Sequence, residues 1–325
     1  MQKLTIATRG SRLALWQAQW VRERLLAAHP ALEAELLILK TRGDIIQDVP
    51  LAKIGGKGLF VREIEKALLD GQADLAVHSM KDLPMQLPEG LVLGVITERA
   101  ATADLLLSER YRSLAELPVG ARVGTSSLRR QAQLLALRPD LKILSLRGNV
   151  DTRLGKLRDG HFEAIVMAEA GLERLGLGAP CQLRLGPDDF LPAAGQGALG
   201  VEFAAANRDL AALLSPLEHA PSRACVTAER SFLAALDGGC QTPIAVLARV
   251  MDQAGRELTL EGLVADVRGR RLVRGKLAGS FDNPLELGQR LADQLLRAGA
   301  REILEEIYAS LAADESADHN RYRPR

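Results

Sequence analysis

The sequence predicts an α/β fold: two doubly wound, mainly parallel-sheet domains with two crossings between them, followed by a small α+β C-terminal domain. Over residues 1–192, short apolar strands alternate with amphipathic helical patterns. A polar stretch at 98–102 and a glycine-rich stretch at 192–200 interrupt this alternation and mark the two crossings. After residue 220, strands are grouped together and helices lie beside them, which indicates a separate domain.

Domain 1 is predicted from residues 1–98 and 199–216. It begins with an apolar strand at 3–8, and the helix that follows aligns Leu13, Trp16 and Trp20 on one face. Its other predicted elements are strands at 35–40, 73–77 and 199–203 and helices at 59–69 and 209–214.

A polar, glycine-bearing stretch at 41–58 is too long for a simple connection in a compact domain, so it is a candidate lid. Asp44, Lys57 and Phe60, in or beside this stretch, are the lid residues assigned to the site. The string GGKG at 55–58 lacks the GxxxxGK[ST] spacing of a phosphate loop, which argues against a nucleotide-dependent transferase.

Domain 2, at 103–192, is built from units in which a strand ends, a polar or basic segment follows, and a helix begins. In parallel sheets, ligands bind at the carboxyl ends of strands, and helix amino termini attract anions. The predicted strands lie at 104–107, 119–124, 142–146 and 164–168.

Domain 3, at 220–312, is predicted to hold a helix at 222–236, strands at 244–249, 258–264 and 272–277, and helices at 284–296 and 301–311, before a disordered tail at 313–325.

The composition limits the classes of function. The formal net charge of +1 argues against a protein that coats nucleic acid or an acidic membrane. No signal-peptide stretch and no apolar run of roughly 18 residues is present, and the three cysteines form no CxxC pair, so we expect a cytoplasmic protein in a reducing compartment. The five histidines lack metal-binding spacing, and we expect no metal.

Positive and hydroxyl side chains recur at the carboxyl ends of predicted strands. They are Arg9, Ser11, Lys81, Thr125, Ser126, Ser127, Arg129, Arg130, Arg147 and Arg153. If the two sheets face each other across a cleft, these groups line it and suit a ligand with several carboxylates or phosphates. For any single arginine, a place on the solvated surface is an equally good interpretation. The excess of arginine over lysine suits an anionic ligand, although a GC-rich genome would produce the same bias.

Two further residues could carry chemistry. Asp82 directly follows a buried-looking strand, and a carboxylate amid cations would stay ionised and could stabilise a developing cation or relay a proton. It could equally be the salt-bridge partner of a cleft arginine. Cys240 lies between two glycines and Pro243, which suits an exposed thiol on a bent loop, although apolar filling is the commoner role of a free cysteine. The residues alone leave both alternatives open.

A set of sequence stretches resembles the porphobilinogen deaminase family, also called the hydroxymethylbilane synthase family. They are IATRGS at 6–11, GGKGLF at 55–60, VHSMKD at 77–82, GTSSLRR at 124–130, RGNV at 147–150, GQG at 195–197 and GGCQ at 238–241. The resemblance extends from residue 6 to about residue 311.

This resemblance implies a monomeric transferase of porphyrin and heme biosynthesis that joins four porphobilinogen units head to tail and releases ammonia at each addition. It implies that Cys240 carries a dipyrromethane cofactor through a thioether and that Asp82 assists the loss of ammonia. The cofactor-binding residues that it implies are Cys240, Lys81, Asp82, Thr125, Ser127, Arg129, Arg130, Arg147 and Gly148. The substrate-binding residues that it implies are Arg9, Ser11, Arg147, Arg153 and Arg174.

The chain departs from the family pattern in a few places. The run ATAD at 101–104 stands where Pro-Arg-Asp is common, Glu169 replaces a small residue, and Cys225 is an unexpected thiol that we expect to be buried. The alternative interpretation is a non-catalytic small-anion-binding protein, because two doubly wound domains with two crossings are also the periplasmic-binding-protein-like layout of solute-binding and ligand-sensing proteins. Such proteins have no need of Cys240.

Overall fold

The computed structural model describes residues 3–41, 61–239, 242–251 and 256–321, with side chains described as far as residue 311. The predicted lid residues Asp44, Lys57 and Phe60 and the predicted attachment residue Cys240 lie outside the described residues.

The predicted strands and helices occur in the predicted order, and the structure adds two further strands. The strands are β1 (Lys3–Arg9), β2 (Glu33–Leu39), β3 (Leu75–Ser79), β4 (Leu91–Ile96), β5 (Asp104–Ser108), β6 (Arg122–Gly124), β7 (Lys142–Leu144), β8 (Ala164–Ala168), β9 (Cys181–Leu185), β10 (Leu199–Ala204), β11 (Ile244–Val250), β12 (Glu257–Ala265) and β13 (Leu272–Ser280). The helices are α1 (Arg12–Ala28), α2 (Arg62–Leu69), α3 (Leu128–Leu137), α4 (Val150–Arg158), α5 (Glu169–Leu175), α6 (Arg208–Leu214), α7 (Ala220–Ala235), α8 (Pro284–Leu295) and α9 (Arg301–Arg321).

Within the described residues, the strands form two five-stranded sheets and one three-stranded sheet. Sheet 1 has the order β2-β1-β3-β10-β4, sheet 2 the order β7-β6-β8-β5-β9, and sheet 3 the order β11-β12-β13. Sheet 3 is antiparallel and packs against α7 and α8, so domain 3 has the predicted α+β arrangement. The predicted fold class is confirmed.

The strand that follows each crossing runs against its neighbours. β5, after the first crossing, is antiparallel to β8 and β9, and β10, after the second, is antiparallel to β3 and β4. The remaining pairs of sheets 1 and 2 are parallel. Because β5 is antiparallel to β8, it begins at the edge where β8 ends. The two crossings therefore lie beside the carboxyl ends of the parallel strands.

Domain 3 packs against both other domains through apolar side chains. Val226 of α7 lies in a buried cluster with Met80, Leu83 and Ile96 of domain 1. A second buried cluster joins Ala132 and Leu191 of domain 2 to sheet 3. Burial of apolar surface at both contacts holds the three domains together.

The structure also differs from the prediction. Two strands, β4 and β9, were not predicted from the sequence. In β4, Gly94 weakens the strand pattern. The structure gives the reason for this glycine, because the ring of Phe203 occupies the place where a Cβ at Gly94 would be. The tail predicted to be disordered at 313–325 is helical to Arg321, because α9 continues through a segment that has no Gly or Pro before Pro324.

Candidate active site

Asp104, Arg129 and Arg130 form a buried group at one edge of sheet 2, which we call the α3 cluster. β8 ends at this edge and β5 begins there, because Asp104 pairs with Ala168 in the antiparallel register. α3 follows β6 closely, so Arg129 and Arg130 lie in its first turn at the same edge. The Arg129 Nη1–Asp104 Oδ2 distance is 2.8 Å and the Arg130 Nη2–Asp104 Oδ1 distance is 2.7 Å.

Burial strengthens the electrostatics of the α3 cluster. The side chains of Asp104, Arg129 and Arg130 are 0%, 6% and 9% exposed. Burial alone would raise the pKa of Asp104, but the charges of the two guanidinium groups and their hydrogen bonds outweigh it and hold this pKa well below its ordinary value. One carboxylate between two guanidinium groups leaves the cluster with a net positive charge.

The turn after β3 adds charges from domain 1. A 3-10 turn, Met80–Asp82, follows β3, and Asp82 is exposed. Burial lowers the pKa of Lys81 to about 8, the charge of Asp82 opposes this effect, and the charges of the α3 cluster act on the same ammonium group. Lys81 therefore interacts electrostatically with both Asp82 and the α3 cluster of domain 2.

Arg147, Gly148 and Arg153 lie around the start of α4. Gly148 has a φ of 111°, and a Cβ there would be 2.7 Å from the Thr152 side chain, so this position requires glycine. Arg153 Nε donates to Gly148 O at 2.8 Å. Burial and, to a smaller extent, the neighbouring guanidinium groups of Arg130 and Arg147 lower the pKa of Arg153 to about 10, and the charge of Asp82 opposes them. The charge of Asp82 thus acts on cations from both domains.

Arg174 has a different setting. Its Nη2 donates to Gly197 O at 2.7 Å, and its guanidinium carbon lies 5.6 Å from the centre of the Trp16 ring. These contacts connect α5 of domain 2 to the second crossing and to α1 of domain 1. Arg9 is half-buried at the carboxyl end of β1. The ligand-binding roles of Arg9 and Arg174 stay predictions.

The predicted hydroxyl donors start helices. Ser11 Oγ accepts a hydrogen bond from Ala14 N at 3.3 Å, and Ser127 Oγ accepts one from Arg130 N at 3.4 Å, as N-caps of α1 and α3. Thr125 is buried, and its Oγ1 accepts from Ser127 N at 3.1 Å. A hydroxyl that accepts a backbone hydrogen bond can still donate its own proton to a ligand oxygen.

Sequence reasoning did not find the buried acids that hold the site together. Asp104 was not assigned to the site, although it is an acid that leads an otherwise apolar strand. Glu229 of α7, which is 0% exposed, binds Arg99 with N–O distances of 2.6 and 3.0 Å. Its oxygens also accept from Gly195 N at 2.7 Å and Ala248 N at 2.8 Å. Through its contacts with Arg99 and Gly195, the Glu229 carboxylate links both crossings to domain 3.

The departures from the family pattern lie near the first crossing or in the core. Glu169 N donates to Ala103 O at 3.1 Å, and the Glu169 carboxylate accepts from Arg184 Nε at 2.8 Å, so its charge is neutralised. Cys225 is buried, as expected, and burial raises the pKa of its thiol to about 11.

The described residues next to the predicted attachment position are closely packed. A Cβ on Gly238 would lie 2.5 Å from Leu233 Cδ1 and 2.6 Å from Ile244 Cδ1, so a larger residue there would have to displace these two side chains. Gly239 N donates to Thr242 Oγ1 at 3.0 Å, and Thr242 Oγ1 donates to Gly239 O at 2.8 Å.

Together, the fold and the site define a class of protein: an α/β protein in which cations from two domains interact with an exposed carboxylate. Such a site suits a ligand with several carboxylates. Residues 4–212 match the family model described as "Porphobilinogen deaminase, dipyromethane cofactor binding domain", and residues 223–297 match "Porphobilinogen deaminase, C-terminal domain". The chain belongs to the porphobilinogen deaminase family, whose members are hydroxymethylbilane synthases.

Curated relatives agree over nearly the whole chain. A porphobilinogen deaminase from Nitratidesulfovibrio vulgaris (strain DP4) is 61% identical over 97% of this chain and 99% of its own length. That from Maridesulfovibrio salexigens is 55% identical over 95% of this chain and 99% of its own length. That from Bordetella bronchiseptica is 54% identical over 94% of this chain and 97% of its own length.

Solved structures give more distant similarities. An ABC transporter periplasmic substrate-binding protein from Coxiella burnetii is 16% identical, with a TM-score of 0.42 over 66% of this chain and 91% of that chain. The periplasmic aliphatic sulphonate binding protein from Escherichia coli is 14% identical, with a TM-score of 0.39 over 73% of this chain and 71% of that chain. Similarities this remote do not bear on the function of this chain.

Membership of the family makes the chain a transferase of porphyrin biosynthesis with a dipyrromethane cofactor. The site fits this cofactor, because Lys81 and the α3 cluster supply buried positive charge for its carboxylates. Within the described residues, Arg130 Nε is buried and has no hydrogen-bond partner, so it can donate to a ligand. The described residues contain no helix long and apolar enough to cross a membrane and no cluster of three potential metal ligands.

Proposed function

We propose that this chain joins four porphobilinogen molecules head to tail, releases one ammonia at each addition, and forms the linear tetrapyrrole hydroxymethylbilane. The observation that carries this proposal is the charge pattern around Asp82. This exposed carboxylate interacts electrostatically with Lys81 of its own domain and Arg153 of the other. The salt bridges of Arg129 and Arg130 are made with Asp104 instead, which favours a chemical role for Asp82 over a purely structural one.

Asp82 stabilises positive charge that develops on the substrate. Cleavage of the substrate's aminomethyl C–N bond, with a proton delivered to nitrogen, releases ammonia and leaves an azafulvene-like cation on the pyrrole. A fixed carboxylate near the ring N–H lowers the energy of this cation. A new C–C bond then forms to the free α-carbon of the terminal ring, which loses its proton. Release of the product would break the C–C bond between cofactor and chain, with a proton returned to the cofactor carbon, and water would add to the resulting cation and lose a proton to give the hydroxymethyl group. Asp82 acts electrostatically and needs no nucleophile beside it.

The cations hold the acetate and propionate side chains. We assign Lys81, Thr125, Ser127, Arg129, Arg130, Arg147 and Gly148, together with Asp82, to the cofactor, and Arg9, Ser11, Arg147, Arg153 and Arg174 to the substrate and growing chain. Each porphobilinogen unit adds two carboxylates, so elongation requires positive partners from both domains. Planar guanidinium groups bind carboxylates in a two-pronged manner, which suits this task better than ammonium groups do.

We assign covalent attachment of the cofactor to Cys240, and the cofactor supplies the primer on which the chain is built. The other two cysteines are poor candidates. Cys225 is buried with a raised thiol pKa. Cys181 pairs with Ser108, the last residue of β5, and β5 begins at the ligand edge, so Cys181 lies at the opposite edge of sheet 2.

Denaturing mass spectrometry of the intact protein tests this proposal. The active protein should be heavier than its sequence by one dipyrromethane. Cys240→Ala should show the bare polypeptide mass, while Cys181→Ala and Cys225→Ala should keep the adduct. A bare polypeptide mass for active protein would contradict the proposal. A non-catalytic anion-binding protein, the alternative, has no reason to show this adduct.

We further propose that the enzyme works in the cytoplasm as a monomer.

A further inference from the structure

The guanidinium group of Arg230, on α7 of domain 3, binds the backbone that directly follows Asp82 in domain 1. Its Nη1 donates to Leu83 O at 3.0 Å, and its Nη2 donates to Pro84 O at 2.6 Å and to Met85 O at 3.3 Å. Three consecutive carbonyl groups therefore point at one side chain from another domain.

Apolar packing supports the same contact. Val226 lies four residues before Arg230, on the same face of α7, and is 0% exposed. It shares a buried cluster with Met80 and Leu83, the residues on either side of the Lys81–Asp82 pair. One face of α7 thus packs against the turn that carries Asp82, with an apolar contact in one helical turn and hydrogen bonds in the next.

The chemistry of the contact favours positioning over simple adhesion. Desolvation lowers the pKa of Arg230, so keeping the group charged in this place costs free energy. An apolar side chain of similar volume would fill the contact without this cost. A rigid, planar fork of donors, however, fixes the directions of three carbonyl groups at once, which an apolar side chain cannot do.

We propose that Arg230 is a positioning residue that sets the location of the Asp82 carboxylate in the candidate active site. This inference rests on the proposed function of Asp82. α7 ends at Ala235, a few residues before the predicted attachment position, so one helix positions both the turn of Asp82 and the segment that leads to Cys240. Domain 3 then determines how the catalytic carboxylate lies relative to the start of the growing chain.

The test compares Arg230→Met with Arg223→Met. Arg223 is also on α7 and also donates to a domain 1 carbonyl, Gly94 O at 2.6 Å, but on β4 rather than beside Asp82. In Arg230→Met we expect kcat to fall by about 10- to 100-fold, the range that misplacement of a catalytic group produces, with KM within about twofold and the cofactor adduct mass retained. Arg223→Met should keep kcat within about twofold. An Arg230→Met enzyme with near-normal kcat would overturn the proposal.

A double-mutant cycle separates positioning from general stability. In an Asp82→Asn background there is no carboxylate left to position, so Arg230→Met should lower kcat by less than about twofold further. The same proportional loss in both backgrounds would mean that Arg230 is only structural. If Arg230→Met does not fold, Arg230→Lys replaces it in the test, because lysine keeps the positive charge but lacks the planar guanidinium group. An Arg230→Lys protein that also fails to fold would overturn the proposal. Failure of the proposed function is distinguishable, because Asp82→Asn alone would then leave kcat unchanged.

Discussion

Asp82 and Asp104 are two aspartates of the candidate site with opposite surroundings. Asp82 follows the last residue of β3 by three positions and is exposed, whereas Asp104 is the first residue of β5 and is 1% exposed. Asp104 binds two guanidinium groups at 2.7 and 2.8 Å. Asp82 acts on Lys81 and Arg153 through its charge.

The contrast shows how one side-chain type can have two functions. A buried carboxylate that already forms two salt bridges is not accessible to a new cation, so Asp104 serves to orient the arginines. An exposed carboxylate keeps its oxygens accessible and can meet a cation that forms nearby. We therefore expect substitution of Asp82 to affect turnover and substitution of Asp104 to affect stability.

The largest expected effect is on turnover. Asp82→Asn keeps the shape of the side chain and removes its charge, so kcat should fall at least about 100-fold, while Tm should change by less than about 2 °C. Porphobilinogen consumption and thermal unfolding measure the two quantities. Asp70→Asn, which removes a surface carboxylate of the same domain, serves as the control and should leave both unchanged.

The second expected effect is on stability. Asp104→Asn leaves two buried guanidinium groups without a counter-charge, so the free energy of unfolding should fall by about 3–5 kcal/mol. Chemical denaturation measures it. Asp140→Asn, which breaks the solvent-accessible pair with Arg138, should cause a much smaller loss. Equal losses in Asp104→Asn and Asp140→Asn would contradict the claim that the buried Asp104 pairs contribute more to stability than a solvent-accessible pair does.

A smaller effect should appear in the pH dependence of cofactor loading. The Lys81 ammonium group of the apoprotein loses its proton as pH rises through about 8, so assembly of the holoenzyme from porphobilinogen should slow between about pH 7 and pH 9. Adduct formation followed by mass spectrometry measures this, and Lys81→Gln should lose that part of the pH profile. Identical profiles for the two proteins would contradict the assignment.

Lys81 also predicts how the stability of the apoprotein depends on pH. The unfolded chain keeps this proton up to the ordinary pKa of 10.5, but the folded chain keeps it only to about 8. The unfolded state binds more protons between these values, so the Lys81 contribution to stability should rise with pH in this window. Unfolding measurements on the apoprotein and on Lys81→Gln isolate this contribution.

The smallest effect concerns Glu169, whose added charge could disturb the anion site. The salt bridge with Arg184 already neutralises the charge of Glu169, and the Arg184 side chain is 59% exposed. Glu169→Ala should therefore change the free energy of unfolding by less than about 1 kcal/mol and KM by less than about twofold. Steady-state kinetics check this, and a large fall in KM would show that the carboxylate opposes substrate binding.

Local patterns in the sequence were enough to predict most elements and many charges of the site. Asp82 and Lys81 were predicted to lie at the sheet edge because a turn that follows a buried strand must bring its polar residues there. Ser11 and Ser127 precede clear helical patterns, so their position at helix starts follows from local chemistry.

Contacts between distant parts of the chain could not be predicted in this way. Asp104 pairs with arginines 25 and 26 positions away only because β5 enters sheet 2 antiparallel, which strand and helix alternation does not indicate. Arg230 meets carbonyl groups 145 to 147 positions away because α7 packs across domain 1. Every residue has a backbone carbonyl group, so the residue types of a sequence do not indicate which carbonyl groups accept a hydrogen bond from a distant side chain.

The most direct test of the account is the rate of ammonia release per cofactor-loaded chain, with loading measured by denaturing mass spectrometry in the same sample. For Asp82→Asn we predict full loading and a rate at least about 100-fold below that of the unmodified enzyme. For Asp104→Asn we predict reduced loading but a near-normal rate for each loaded chain. An Asp82→Asn protein that is fully loaded and releases ammonia at the unmodified rate would contradict the central claim.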